Sequence, residues 1–374
     1  MSEGRPAARS ISDNPEVSSP SRVPEQPEGG SVVLRIVGGT AFEVCAELAA
    51  FTSGPARASL ESGKPWIRET RRLAGPALLE AVAAHPLDTY AGLATLAADV
   101  GDDVSIGAFV AALGAMPPTR IRRRLIGADS SMGGGVDDEL IEAGAQGDAH
   151  ARARLHAILG DEPAMRRSVD RLLRNAEDLA REVTAVLESW TERVFSRWGP
   201  EVLPILARDV AAKTALLASS SPAAVVAAAT NGLAFEPAPA VREVVLAPTV
   251  ALRPFVVPVD VGATRLFLVS VADESIDPDG VIPNRLVKVA AALGDPIRVR
   301  ALRELARHDG LTTSSLADRL GVERTSLHHH LGLLRSAGLL AIEDRGDGGW
   351  HYRVRRDRVE ELGALLRSFL EAPL

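Results

Sequence analysis

The chain has 374 residues, of which 46% are hydrophobic and 24% are charged, and this balance excludes a protein that is disordered throughout. The length is enough for two or three domains with buried cores. A single cysteine, Cys45, excludes an internal disulfide framework and a cysteine-rich zinc site. The net charge of −7 argues against nucleic acid as a partner, although such a total averages over domains of different charge.

Residues 1–30 are rich in Pro, Ser, Glu and Gly and poor in large apolar residues, so we expect a disordered tail. The tail lacks the apolar core of a signal peptide, and no part of the chain has the roughly 18 uncharged apolar residues of a membrane span. A cytoplasmic protein without a membrane partner is therefore expected.

Residues 31–275 are predicted to form a helical domain with a small β element. Residues 31–39 (SVVLRIVGG) are typical of a strand that ends in glycines, and residues 40–54 (TAFEVCAELAAFTSG) have the apolar spacing of a helix. Helices rich in Ala and Leu follow, interrupted by a predicted loop at residues 129–147 that contains three consecutive glycines. Runs of β-branched residues between 237 and 271, separated by Pro and Gly, predict a hairpin or a small meander.

Two helices joined at residues 294–296 open the carboxy-terminal region. Asp295 is placed to cap the second of these helices, and Pro296 is placed to occupy its first position. Val299, Leu302 and Leu305 are predicted to line one side of this helix.

Residues 311–340 predict a helix-turn-helix. Thr313 or Ser314 is expected to cap a short helix that ends in a turn at Gly321. A second helix is expected at residues 324–337. Its predicted core residues are Leu327, Leu331 and Leu334.

A β-hairpin is predicted at residues 341–355, and a helix-turn-helix followed by a hairpin is a winged helix. The last helix has one apolar face, suited to packing against a partner subunit, that consists of Val359, Leu362, Leu366 and Phe369. The predicted fold class is thus mainly α with small β elements, ending in a winged helix-turn-helix domain at residues 284–374. These residues have a net charge of +3 and residues 1–283 a net charge of −10, which removes the objection to nucleic acid.

Residues 284–370 resemble the ArsR/SmtB family of bacterial winged-helix transcriptional regulators. The resemblance rests on ALGDPIRVRALREL at the start of the region, LADRLGVERTSLHHHLGLLRSAGLL in the helix-turn-helix, and DRGDGGWHYRV in the hairpin, in the family's order and spacing. The family implies a regulator, usually a repressor, that binds double-stranded DNA as a homodimer on an inverted-repeat operator until an effector releases it.

The predicted recognition helix, residues 324–337, is expected to enter the major groove, which is wide enough for a helix. Arg335, late in this helix, is expected to contact the DNA backbone, and His330 to lie toward the core. Solvated residues on a surface helix are the alternative, which the accompanying opening motif and hairpin disfavour. The candidate DNA-binding residues are Arg324, Thr325, Ser326, His328, His329, Arg335, Arg345, His351 and Arg353.

No metal site and no cofactor are predicted. The three histidines at residues 328–330 are adjacent on a helix and point about 100° apart, so they cannot converge on one ion. Metal-sensing members of the ArsR/SmtB family carry ligands in stretches that correspond to residues 311–320 and 358–370, and these contain no Cys or His. Cys45, on an apolar helix face, is expected to be a buried structural thiol.

The region 31–275 resembles, in the order of its predicted elements, the long amino-terminal domain of actinobacterial-type ArsR-like regulators. Its acidic and apolar composition favours a sensor that binds a small-molecule effector. The first alternative is a dimerisation or protein-docking scaffold without a ligand. An enzyme fused to a DNA-binding module is a weaker alternative, and because no catalytic constellation is visible we do not expect an enzyme.

Overall fold

A computed structural model of the chain describes residues 32–53, 57, 60–85, 87–127, 136–160, 163–234, 241–278, 284–308, 310–344 and 350–371. The predicted tail at residues 1–30 and the three glycines at 133–135 lie outside these residues. The strands are β1 (Val33–Ile36), β2 (Leu233–Ala234), β3 (Glu243–Thr249), β4 (Val257–Val261), β5 (Thr264–Ser270), β6 (Leu311–Thr312), β7 (Leu340–Asp344) and β8 (Trp350–Val354).

Helices make up most of the described chain, as the predicted fold class requires. They are α1 (Thr40–Thr52), α2 (Gly63–Ala83), α3 (Leu87–Val100), α4 (Ile106–Ala115), α5 (Pro118–Gly127), α6 (Asp138–Ala145), α7 (Ala149–Leu159), α8 (Pro163–Leu172), α9 (Ala176–Trp190), α10 (Ser196–Ser219), α11 (Pro222–Ala229), α12 (Asp273–Ile276), α13 (Asn284–Leu293), α14 (Pro296–Arg307), α15 (Thr313–Leu320), α16 (Arg324–Ser336) and α17 (Arg356–Glu371). A π-helical turn, Thr191–Phe195, joins α9 to α10. In the described part of the chain, no helix combines the length and apolarity that crossing a membrane requires.

The first sheet has the strand order β1-β3-β5-β4. β4 and β5 form an antiparallel hairpin, which confirms the hairpin predicted between residues 237 and 271. β3 instead pairs in parallel with both β1 and β5, so the run is not a simple meander. Parallel pairing joins strands that are far apart in sequence, and no local pattern indicates it.

A helix lies within the stretch that was predicted to be a loop. Residues 138–145 form α6, although residues 129–147 were expected to be a loop. Asp137 caps this helix by accepting a hydrogen bond from the Leu140 N–H at 2.7 Å. The sequence pattern of three glycines at 133–135 argues against a helix at those positions. The acidic residues that follow, at 137–139, are typical of the start of a helix.

The helix α1 lies in the centre of the first core, where Phe42, Cys45 and Leu48 have no exposed surface. Burial raises the pKa of the Cys45 thiol, which keeps it protonated and unreactive at neutral pH. Cys45 is thus a buried thiol of the core, as its place on an apolar helix face predicted.

Two glutamates of α1 are buried in the same core. Glu43 accepts hydrogen bonds from the backbone N–H groups of Val250 and Ala251, at 2.8 and 2.9 Å. Glu47 accepts one from the Trp190 indole at 2.8 Å. Burial raises the pKa of Glu43 to about 7 and that of Glu47 to about 8, the latter with a contribution from Glu43. Glu43 therefore fixes the backbone that leaves β3.

The second sheet has the order β2-β7-β8-β6. Three of its strands belong to residues 284–374. The fourth, β2, precedes β3 in the chain and pairs in parallel with β7. Residues from 32 onward form one compact unit. The carboxy-terminal sheet thus includes a strand that lies outside the predicted DNA-binding domain.

The buried carboxyl of Glu47 makes stability depend on pH. In the unfolded chain it ionises near 4.5, whereas the folded protein holds its proton up to about pH 8, so the free energy of unfolding should fall as the pH rises between these values. Glu47→Gln keeps an acceptor for Trp190 and should reduce that fall by roughly 1–3 kcal/mol. Urea unfolding followed by tryptophan fluorescence near pH 5.5 and near pH 8 measures it.

The matched control is Glu188→Gln, which changes an exposed glutamate of the neighbouring helix α9. It should leave the pH dependence of wild type unchanged. Equal pH dependence in wild type and Glu47→Gln would show that Glu47 is not the responsible group.

Candidate nucleic-acid interface

The helix α14 is positioned by its predicted cap. The Asp295 carboxylate accepts hydrogen bonds from the N–H groups of Ile297 and Arg298, at 2.8 and 3.1 Å, and Pro296 occupies the first helical position. Leu305 is buried, whereas Val299 is 47% exposed. The periodicity thus predicted the apolar side of α14, and Val299 lies at the solvent-exposed edge of that side.

The helices α15 and α16 form the predicted helix-turn-helix. Thr312 caps α15 by accepting a hydrogen bond from the Ser315 N–H, one or two residues earlier than expected. Gly321 ends α15 with φ of 66°, a left-handed conformation that favours glycine. The two helices share a buried core with α14 that contains Leu316, Leu320, Leu327, Leu331 and Leu334.

The first turns of α16 present an exposed polar surface. Arg324, Ser326, His328 and His329 are all exposed, and Thr325 lies between the first two on the helix. Glu323 precedes the helix without a side-chain cap, so the first-turn N–H groups of α16 are available to an external acceptor. Four of the candidate DNA-binding residues therefore form one accessible surface.

His330 lies toward the core, as the sequence indicated. Its Nδ1 is 3.8 Å from the Asp295 carboxylate. Burial lowers the pKa of His330, against the opposing charge of Asp295. Among the described residues no group of three or more His, Cys, Asp or Glu side chains is arranged to hold a metal ion.

The hairpin β7–β8 follows the helix-turn-helix. Its two described candidate residues differ in exposure to solvent. Arg353 is exposed and forms an ion pair with Glu343 across the hairpin. His351 is only 8% exposed, and its Nδ1 lies 2.7 Å from the Gly310 carbonyl oxygen. This corrects the expectation that His351 contacts DNA, because the ring is engaged between β6 and β8. Arg345 lies outside the described residues.

Arg335 also departs from its predicted role. Its side chain is half-buried and lines a cleft between α16 and the segment 254–258, which leads from β3 into β4. Burial lowers the pKa of the guanidinium, against the effect of the nearby Tyr352 phenol. The helical spacing of Arg335 placed it on the DNA side, but the amino-terminal region covers that position.

The amino-terminal region contacts α16 at two further points. Phe255 approaches Gly332 so closely that a methyl group on the glycine Cα would lie 3.9 Å from the phenyl ring. Asn231 donates a hydrogen bond from its side-chain amide to the Arg335 carbonyl oxygen, in the last turn of α16. The Arg335 carbonyl also accepts a hydrogen bond from the Gly338 N–H at 2.8 Å, so Asn231 adds a tie from the amino-terminal region to the end of α16. Both contacts come from residues outside the helix-turn-helix.

An ion cluster around the buried Arg253 fixes the segment that carries Phe255. Arg253, 5% exposed, donates hydrogen bonds to Glu61, at 2.9 and 3.0 Å, and to Asp273. Lys288, on α13, pairs with the same two carboxylates, at 3.0 Å from Glu61 and 2.6 Å from Asp273. Burial opposes ionisation of Asp273, but the hydrogen bonds from Lys288 and Arg253 hold its pKa below the ordinary value.

These connecting residues could not be identified from the sequence. Asn231, Arg253, Phe255 and Lys288 carry no motif, and their partners lie 15 to 192 positions away along the chain. Residues 253–258 lie in a run of β-branched residues interrupted by prolines. This pattern predicts strands but gives no information on which distant residues they contact.

Two comparisons relate this chain to known proteins. A family model described as a helix-turn-helix domain matches residues 293–343. An uncharacterized HTH-type transcriptional regulator of Methanocaldococcus jannaschii is 30% identical over 79 residues, which make up 21% of this chain and 86% of that protein. The family match covers α14, α15 and α16.

Proposed function

The chain belongs, through its carboxy-terminal region, to the helix-turn-helix transcriptional regulators, and we propose that it is a sequence-specific repressor of the ArsR type that binds its operator as a homodimer. One observation supports this most strongly. The start of α16 presents Arg324, Ser326, His328 and His329 together on an exposed surface above a rigid leucine core.

DNA binding follows from the chemistry of that surface. An α-helix fits the major groove, where an arginine can donate two hydrogen bonds to guanine and hydroxyls or imidazoles can contact bases or phosphates. The uncapped first turn of α16 can also donate N–H groups to a phosphate. We assign base or backbone contacts to Arg324, Thr325, Ser326, His328 and His329, and phosphate contacts to Arg345 and Arg353 on the hairpin.

The proposed homodimer is supported by the apolar face of α17. Val359 and Leu366 are each 45% exposed and Leu370 is 72% exposed, so apolar side chains along one face of α17 are accessible to a partner. α13 adjoins α17 through the ion pair of Arg285 with Glu361, and its Val287 is also exposed. A second copy of the chain covering these side chains would place two α16 helices on an inverted repeat.

Control by the amino-terminal region is part of the proposal. β2, Asn231, Phe255 and the ion cluster of Arg253 all contact the DNA-binding region, so a ligand that shifts the first sheet can shift α16. The second candidate is a scaffold that supports the fold and the dimer without a ligand. The observation that favours it is the same strand β2, which completes the second sheet.

Removal of the exposed arginine at the start of α16 should weaken DNA binding. Selection from a random duplex library with the full-length protein yields a binding sequence, and fluorescence anisotropy measures its affinity. Arg324→Ala should bind that duplex about 10- to 100-fold more weakly, and the double change His328→Ala with His329→Ala should bind it at least as weakly. Affinity should also fall as salt increases, through counterion release.

The matched control is Arg181→Ala, on the exposed side of α9, which should bind like wild type. Circular dichroism checks that each variant is folded. Unchanged affinity and sequence preference in the folded double histidine variant would refute the assignment of α16 as the recognition helix.

Disruption of the apolar face of α17 should give a monomer. Leu366→Arg places a charge in the centre of the proposed interface, whereas Ala364→Arg places the same charge on the other side of the helix. Light scattering coupled to size exclusion should report a dimer for wild type and Ala364→Arg and a monomer for Leu366→Arg. A wild-type monomer at micromolar concentration, or a dimeric Leu366→Arg, would contradict the proposed dimer.

A further inference from the structure

A cleft of about 300 Å³ lies between the segment 254–258 and the helix α16. Phe255 and Val256 form one wall, and Leu331 and Gly332 form the opposite wall. Ile342 of β7, Tyr352 of β8, Leu233 of β2 and Phe267 of β5 also line it. Both sheets thus contribute residues to one partly open cleft beside α16.

The cleft has the composition of a small-molecule site. Its walls are mostly aliphatic and aromatic, while its polar groups are few: the His328 imidazole, the Arg335 guanidinium and the Tyr352 phenol. Ligand sites in proteins combine an apolar lining with a small number of polar groups that fix orientation. A volume of about 300 Å³ is at the lower end for such sites, which selects a small ligand.

Arg335 determines the charge of that ligand. No carboxylate among the residues that the structure describes pairs with its guanidinium, although the side chain is half-buried. Withdrawing a cation from water without a partner is unfavourable, and a guanidinium pairs best with a planar anion through two parallel hydrogen bonds. A carboxylate placed in the cleft would supply the partner that the described residues do not provide.

The cleft shares residues with the surface proposed to read DNA. His328 and Gly332 are one helical turn apart on α16, and both line the cleft. Phe255 faces Gly332 across the cleft, so a duplex approaching this side of the helix meets the segment 254–258. The major groove is about 12 Å wide and admits a helix but not a second layer of chain on the same face.

We propose that this cleft binds a small apolar monocarboxylate through Arg335, and that the bound acid holds the segment 254–258 on α16 and thereby opposes DNA binding. The second half of this inference rests on the proposed function, whereas the first half does not. Because the coupling is reciprocal, DNA must weaken the binding of the acid by the same factor as the acid weakens the binding of DNA.

A matched series of three probes tests the binding site. The full-length protein is titrated calorimetrically with 4-phenylbutyrate, 4-phenylbutyramide and 4-phenylbutylamine, which share one apolar body and carry a negative, a neutral and a positive head. The carboxylate should bind at least about 10-fold more tightly than the amide, and the amine should bind most weakly.

Variants then assign the contacts. Arg335→Gln should weaken the binding of 4-phenylbutyrate about 10-fold, to the level of the amide, and should leave the amide unaffected. Phe255→Ala should weaken both compounds, since it removes part of the apolar wall. Arg319→Gln, which changes an exposed arginine on α15, is the control and should bind all three probes like wild type.

The coupling is measured with the selected duplex. Saturating 4-phenylbutyrate should weaken duplex binding by wild type about 5- to 100-fold, and it should have no effect on the residual duplex binding of Arg335→Gln. The amide should have little effect on either protein at the same concentration.

The two levels of the proposal fail separately. Binding that ignores the charge of the head group, binding unchanged in folded Arg335→Gln, or no binding of any probe overturns the carboxylate site and leaves the DNA-binding function intact. Acid binding that depends on Arg335 in a protein that selects no duplex supports the site and refutes the DNA-binding function. Acid binding without any effect on the duplex overturns the coupling.

Discussion

The buried guanidinium of Arg253 joins the two halves of the molecule. It is shared by Glu61 and Asp273, and the same two carboxylates bind Lys288 on the first helix of the DNA-binding region. Because Arg253 is buried, removing its carboxylate partners would leave a buried cation uncompensated, which costs more than breaking a pair on the surface. The segment that follows Arg253 is therefore fixed relative to α13, and through the shared core relative to α16.

The same segment is held at its other end by Glu43, whose buried carboxylate binds the first two N–H groups after β3. β4 then continues into the hairpin with β5. Phe255 lies between these anchors, so its position beside Gly332 is a property of the whole amino-terminal core and not of a loose connection. A change in that core therefore has a direct route to α16.

The helix-turn-helix could be predicted because its determinants are local. Asp295, Pro296, Gly321 and the leucine spacing of α16 act within a few residues of each other, and the structure confirms each of them. Contacts between distant segments could not be predicted in this way. The parallel pairing of β2 with β7, the burial of Glu43 and Glu47, and the ion cluster depend on which segments meet in three dimensions. His351 and Arg335 were misplaced for the same reason: helix and strand periodicity gives the face of an element but not what covers that face.

Hydrogen–deuterium exchange of the full-length protein, with and without its selected duplex, is the sharpest test of α16 as the recognition helix and of its coupling to the amino-terminal core, because it follows α16 and the segment that faces it in one experiment. We predict slower exchange at residues 324–332, where the uncapped first turn of α16 would meet phosphate, and faster exchange within the segment 254–258, which must leave the helix. If a saturating duplex slows exchange only in other elements and leaves α16 and the segment 254–258 unchanged, both claims are contradicted.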